Sequence, residues 1–158
     1  MGLDQYLYAK DYVSGSRYST DEKEKSLYEK LLEAVNAQEF IYQDLPSIQM
    51  QVKVGYWRKA NQIHNWFVTN VQDGEDDCKE YYVPRESLED LLNTCREVLL
   101  SKHPDVANDL LPATSGFFFG STEIDEWYWA QLEDTIEQIS RLLKTVPSDW
   151  DFYYQSSW

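Results

Sequence analysis

Apolar residues recur along this chain with two periods, and the switches between them lay out the elements. Ile48, Met50, Val52 and Val54 alternate strictly with other residues, which predicts a strand over Ile48–Val54. Leu3 to Tyr8 alternates in the same way and predicts a shorter strand. Between the two, Leu27, Leu31 and Val35, with Tyr28 and Leu32 beside them, recur at helical spacing as far as about Ala37. Ser19 stands three residues before Glu22, the spacing of a capping box. Gly15 and three serines make Asp11–Ser19 a loop, and Pro46 ends an irregular connection that starts at Phe40. Further on, Glu80–Val83 predicts a short strand, and Pro84 suits the first turn of a helix. That helix turns Leu88, Leu91, Leu92, Cys95, Val98 and Leu99 inward and ends near Lys102. His103–Thr114 is a second connection with room for one helical turn. Thr122 with Asp125 caps a long helix striped by Tyr128, Leu132, Ile136, Ile139, Leu143 and Val146; Pro147 stops it, and Trp150–Gln155 predicts a last strand. Phe117–Phe119, between Gly116 and Gly120, is too apolar a run to be left in water.

Strands alternating with helices suggest α/β at first sight. These strands are short and half-polar, however, unlike the continuous apolar runs of a buried parallel sheet. The expected fold is α+β, a small and mainly antiparallel sheet of short strands packed with about four helices, as one domain over residues 1–158. No internal repeat is visible.

The stretch Gly55–Asp77, GYWRKANQIHNWFVTNVQDGEDD, is the densest in chemistry. Its helix, set at 100° per residue ahead of a polar exit loop at Asp73–Lys79, places Ala60, Ile63, Phe67 and Val71 on a core-facing stripe. Arg58, Gln62, Asn65 and Thr69 fall opposite, with Lys59 and Trp66 beside them. An indole among guanidinium and amide groups combines apolar area with directional donors, as a contact surface requires. Arg58, Lys59, Gln62, Asn65 and Trp66 are therefore the expected partner-binding face.

Charge narrows the partners. Across 158 residues, 14 Lys and Arg stand against 28 Asp and Glu, a net of −14. Asp73–Glu137 alone holds 17 of the acidic residues and 4 of the basic ones, a local charge of −13. Such a field repels nucleic acid and anionic membrane and favours basic partners. No stretch approaches the ~18 apolar residues of a membrane span, and MGLDQYLYAKDY lacks the apolar run of a signal peptide. Met-Gly opens like a myristoylation signal, but Tyr6 occupies the place of its Ser or Thr. Cys78 and Cys95 form no CxxC pair. A soluble intracellular protein is expected.

The chemical motifs fail one by one. Counted from Asp73, a calcium-hand loop would need Gly sixth and Glu twelfth, where Cys78 and Pro84 stand. His64, His103, Cys78 and Cys95 show no zinc spacing. Gly116–Thr122 leads into a helix but has no Walker lysine, and Glu123, Asp125 and Glu126 would repel a phosphate there. His64 borders the core stripe, where a histidine is more often structural than catalytic. Dyads of His64 with Cys78 or Ser115 match no nucleophile motif. No metal or cofactor is expected, and no reaction can be read from these motifs.

Acidic helix faces are a second candidate surface. Glu123, Glu126, Glu133, Asp134 and Glu137 lie off the last stripe, and Glu86, Glu89, Asp90 and Glu97 off the one before. Carboxylates spaced along rigid helices can imitate the phosphates of duplex DNA, although acidic faces more commonly confer solubility.

The runs GYWRKANQIHNWFV, VQDGEDDCKEYYV and LLPATSGFFFGSTEIDEWYW, with the opening MGLDQYLYA, resemble a family of small uncharacterised bacteriophage and prophage proteins. The likeness spans most of the chain outside Asp11–Ser19 and the segment after Pro147, with Pro84 where relatives would carry a polar helix cap. It implies a viral accessory product in the cytoplasm of an infected bacterium, binding and modulating or inhibiting a host macromolecule. A nucleic-acid-binding or defence protein is among the possible targets. The surfaces for this are the central helix face and Glu123, Glu126, Glu133 and Glu137. The alternative is a small-ligand site of nucleotide-like specificity, or a small enzyme, in which Tyr56, Trp57, Arg58, Asn61 and His64 line a pocket with Phe117–Phe119.

Overall fold

The computed structural model describes residues 2–158. Its elements are β1 (Asp4–Ser14), α1 (Glu22–Ala34), β2 (Ser47–Arg58), α2 (Asn61–Asn70), β3 (Glu80–Val83), α3 (Arg85–Ser101), α4 (Pro104–Leu110), α5 (Glu126–Thr145) and β4 (Asp151–Ser157). The fold is α+β, five helices with a four-stranded antiparallel sheet of order β2-β1-β4-β3 among the described residues. The chain divides into two compact units, Met1–Ala9 with Lys53–Trp158, and Lys10–Val52. The strands β1 and β2 each contribute residues to both.

The larger unit is built around a continuous apolar core. Leu3 just before β1, and Gln5, Leu7 and Ala9 on it, are buried while Asp4, Tyr6 and Tyr8 are only partly covered, so period two puts one face inward. Strand β4 turns in Phe152, Tyr154 and Ser156, and pairs with β3 in the register Glu80↔Gln155 to Val83↔Phe152. Helices α3 and α5 pack on each other, with Leu88, Leu91, Leu92, Cys95 and Val98 buried on one and Leu132, Ile139 and Leu142 on the other. Each such side chain contributes about 1.5–3 kcal/mol by leaving water. Phe67 of α2 lies face to face with Tyr154, ring centroids 3.9 Å apart.

The path from β2 into α2 differs from the sequence expectation. Gly55, Tyr56, Trp57 and Arg58 do not open a helix; they continue β2, with Gly55 and Trp57 buried and Tyr56 and Arg58 exposed. Lys59 then turns the chain in the left-handed region at φ 57°, and α2 begins at Asn61 behind Ala60, which offers no side-chain cap. β2 is an edge strand, and α5 covers this half of its edge with side chains. Gln138 accepts the Tyr56 N–H and donates back to the Tyr56 carbonyl, both at 3.0 Å, and Arg141 donates to the Val54 carbonyl. One glutamine amide thus replaces a neighbouring strand residue, a recognised way of blunting an edge.

The smaller unit holds α1. Its cap is Asp21, whose carboxylate accepts the N–H groups of Lys23 and Glu24, while Ser19 donates to Glu24 instead of capping. The expected loop at Asp11–Ser19 is strand as far as Ser14. Tyr28 lies against Gly15, where an added Cβ would come within 2.3 Å of the ring. Only Val13, Tyr28 and Ala37 are buried apolar residues here.

Candidate functional site

Asn61, the first residue of α2, is 1% exposed and works as a clamp on the loop between α4 and α5. Its Oδ1 accepts the Thr114 N–H at 3.2 Å, and its Nδ2 donates to the Ser121 carbonyl at 2.8 Å and more weakly to that of Phe119 at 3.4 Å. Both ends of segment 114–121 are therefore held by one buried side chain. Within it, Phe119 is buried against the edge of the His64 ring and Trp158. A side chain at Gly116 would put its Cβ 2.5 Å from the Phe119 ring, so only glycine allows that approach. Phe118 sits at φ 67°, a left-handed conformation that costs a non-glycine residue about 1–2 kcal/mol. The frame leaves Phe117 and Phe118 in water, 79% and 54% exposed, their centroids 4.3 Å apart. Of the three phenylalanines expected to withdraw, one does.

A cleft of about 350 Å³ opens beside this loop. Arg58, Lys59, Gly120, Ser121 and Glu123 line it, together with the exposed Trp127. Gln62 donates to Gln131 at 2.9 Å across it. Asp125 lines it too, but Asp125 Oδ1 is occupied by the Trp127 and Tyr128 N–H groups as the α5 cap. The cleft therefore brings the Arg58 and Lys59 cations, the Glu123 carboxylate and the amides of Gln62 and Gln131 to one lining.

On the other side of the loop, a second cavity of about 380 Å³ is bordered by His64, Asp76, Ser115, Phe117 and Trp158. His64 is 1% exposed, and both ring nitrogens are occupied: Nδ1 lies 2.9 Å from the Tyr154 hydroxyl and Nε2 3.0 Å from Asp76. The donors can be assigned in order. The Ala60 carbonyl can only accept, so Gln5 presents its Nε2 there and its Oε1 to Tyr154. Tyr154 must then donate to Gln5, so its oxygen accepts a proton from His64 Nδ1. Burial, with Asp76 nearby, pushes the Tyr154 hydroxyl well above its ordinary value and keeps it a donor. Trp158 donates to the other Asp76 oxygen. With Nδ1 directed at Tyr154 and Nε2 at Asp76, His64 presents neither ring nitrogen to Ser115 or Cys78. Burial also pushes the Cys95 thiol up to about 12, far from a nucleophile.

The residues expected to share a site are therefore distributed differently. Arg58, Lys59, Gln62 and Glu123 do line one cleft. Trp66 does not join them: it is 9% exposed and packs edge-on against Phe67, so its indole is core and the expected contact face loses its centre. Asn65, half-buried, donates to the Pro112 carbonyl. Trp57 is buried and donates to Thr135, and Tyr56 donates to Asp4 on the surface. Arg58 and His64 border different cavities, so the pocket imagined around them does not exist as one space. Glu126, Glu133 and Glu137 are exposed along α5, and Glu86, Glu89, Asp90 and Glu97 along α3, where sequence placed them. Trp127 was not singled out, and Phe117–Phe119 were expected to line a pocket with Tyr56 and His64 rather than to split into one buried and two outward rings, because nothing in the sequence marks which ring of an aromatic run is turned out. Compared with protein-family models, curated proteins and solved structures, the chain matches none. No helix among the described residues is long and apolar enough to cross a membrane, and no group of three or more metal-ligating side chains gathers among them.

Proposed function

We propose that this is a phage accessory protein that binds and modulates a host macromolecule, with the Phe117–Phe118 pair as its anchor. The observation that carries the binding reading is the Asn61 clamp. A buried side chain is committed to holding a loop whose strained residue and two adjacent phenyl rings face water, an arrangement that costs stability without a partner. Rings already held in place lose little freedom on docking, which is how a preorganised anchor raises affinity. The cleft lined by Arg58 and Glu123 gives the partner's polar groups a place beside the same loop. Exposed carboxylates on α3 and α5 favour a partner with a basic surface. The viral and host assignments rest on the sequence resemblance.

Tagged protein is passed over lysate of a bacterial host beside the double variant Phe117→Ser/Phe118→Ser, which replaces two exposed side chains. The expected result is a host protein retained by the wild type and reduced at least tenfold on the variant, with the melting temperature unchanged. Equal capture by both would overturn the anchor. Capture that ignores the variant but vanishes with added salt would favour the acidic faces as a nucleic-acid decoy.

A further inference from the structure

We infer that the protein pairs with a second copy of itself through the free edge of β2 between Ser47 and Val52. Sheet edges invite strand addition unless something blunts them. The β3 edge is only four residues long and carries Glu80. The second half of β2 is covered at Val54 and Tyr56 by Arg141 and Gln138. The first half, Ser47-Ile-Gln-Met-Gln-Val52, has neither device: it contains no charge, proline or glycine, and Gln49, Gln51 and Val52 are exposed.

The sequence of this edge selects its occupant. Read from Met50 outward it is the same in both directions, Gln on each side and then a β-branched residue, Ile48 or Val52. Antiparallel pairing about a two-fold axis at Met50 sets Met50 against its own mate, Gln49 against Gln51, and Ile48 against Val52. Self-complementary pairing of this kind is what a two-fold interface demands. The absence of charge matters equally. The chain carries −14, so two copies repel over most of their surfaces, and this strand edge lets them meet without opposing like charges. Strand pairing alone buries less than the ~1,000 Å² of a stable interface. Phe40, Tyr42 and Leu45, all exposed in the segment leading into β2, supply further apolar area in the same unit.

Sedimentation equilibrium of the full chain is expected to give twice 18.7 kDa for the wild type. Gln49→Lys/Gln51→Lys and Gln49→Glu/Gln51→Glu, each placing like charges opposite one another, should sediment as monomers, and their equimolar mixture as a dimer. Register is read separately in a Cys78→Ser background. Met50→Cys faces its mate at the ~4.5–5.5 Å of opposed strand residues, within disulfide reach, and should cross-link with diamide. Gln49→Cys, a diagonal step of about 7–8 Å from its mate, should not. A monomeric wild type, or a dimer that survives both charged variants, would overturn the inference; so would cross-linking at Gln49 and not at Met50.

Discussion

The two units expose aromatic rings for different reasons. In the larger unit the core draws on all four strands and on α2, α3, α4 and α5, and Phe117 and Phe118 stand outside it because Asn61, Gly116 and a strained Phe118 backbone hold them there. In the smaller unit only three apolar residues are buried, while Tyr12, Tyr18, Phe40, Tyr42 and Leu45 are exposed. A segment of about 40 residues has too little interior to cover its own rings. Exposure by itself is therefore a poor guide to contact. A ring exposed by a rigid frame is a prepared anchor, whereas a ring exposed for want of a core needs another chain to cover it.

Substitutions separate the two units most sharply in their cores. Phe67→Ala removes the ring stacked on Tyr154 and should cost about 3–5 kcal/mol. Denaturant titration followed by tryptophan fluorescence measures it, since all six tryptophans lie in the larger unit. Tyr28→Ala should speed amide exchange in α1 while moving that tryptophan midpoint by less than about 0.5 kcal/mol. Equal shifts from the two changes would mean one cooperative body and would break the comparison.

Tyr154→Phe should cost the larger unit about 1–3 kcal/mol, because Gln5 Oε1 and His64 Nδ1 both lose their partner. In the wild type, nitrogen-15 spectra should show His64 Nδ1 carrying a proton, and an Nδ1 without one would refute the assigned network.

Alkali should act on the same unit. Burial raises Cys95, Tyr128 and Tyr154 above their ordinary values. Each therefore contributes stability that is complete below its unfolded value, near 9–10, and is lost as pH rises toward the folded one. Melting followed by tryptophan fluorescence should fall steadily above about pH 10, and a flat profile would contradict this. The smallest effect is expected at Tyr18→Ser in the other unit, within about ±0.5 kcal/mol by the same titration.

Much of the fold was legible because its signals are local. Alternation marked Ile48–Val54, and heptad-like stripes with Pro84, Asp125 and Pro147 bounded α3 and α5 closely. The junction at Lys59 was not legible, since the chain turns there on a left-handed lysine with no glycine or proline to announce it. Trp66 was misplaced for a different reason. A helical wheel assumes one wet face, but Asn61, Gln62, Ile63, His64, Trp66 and Phe67 of α2 are all buried. Its polar residues point at partners, Asn61 at the loop, Gln62 at Gln131 and His64 at Tyr154 and Asp76. Such residues resemble a surface in sequence and act as clamps in structure.

The account turns on whether segment 114–121 is held or loose, and the amide of Thr114 reports it directly, because its N–H ends on buried Asn61 Oδ1. Native-state hydrogen exchange should give this amide an opening free energy close to that of α3 core amides, well above those of α1. In Asn61→Ala its protection should disappear. If Thr114 in the wild type exchanges as fast as the amides of α1, the loop is not clamped and Phe117 and Phe118 are not a prepared anchor.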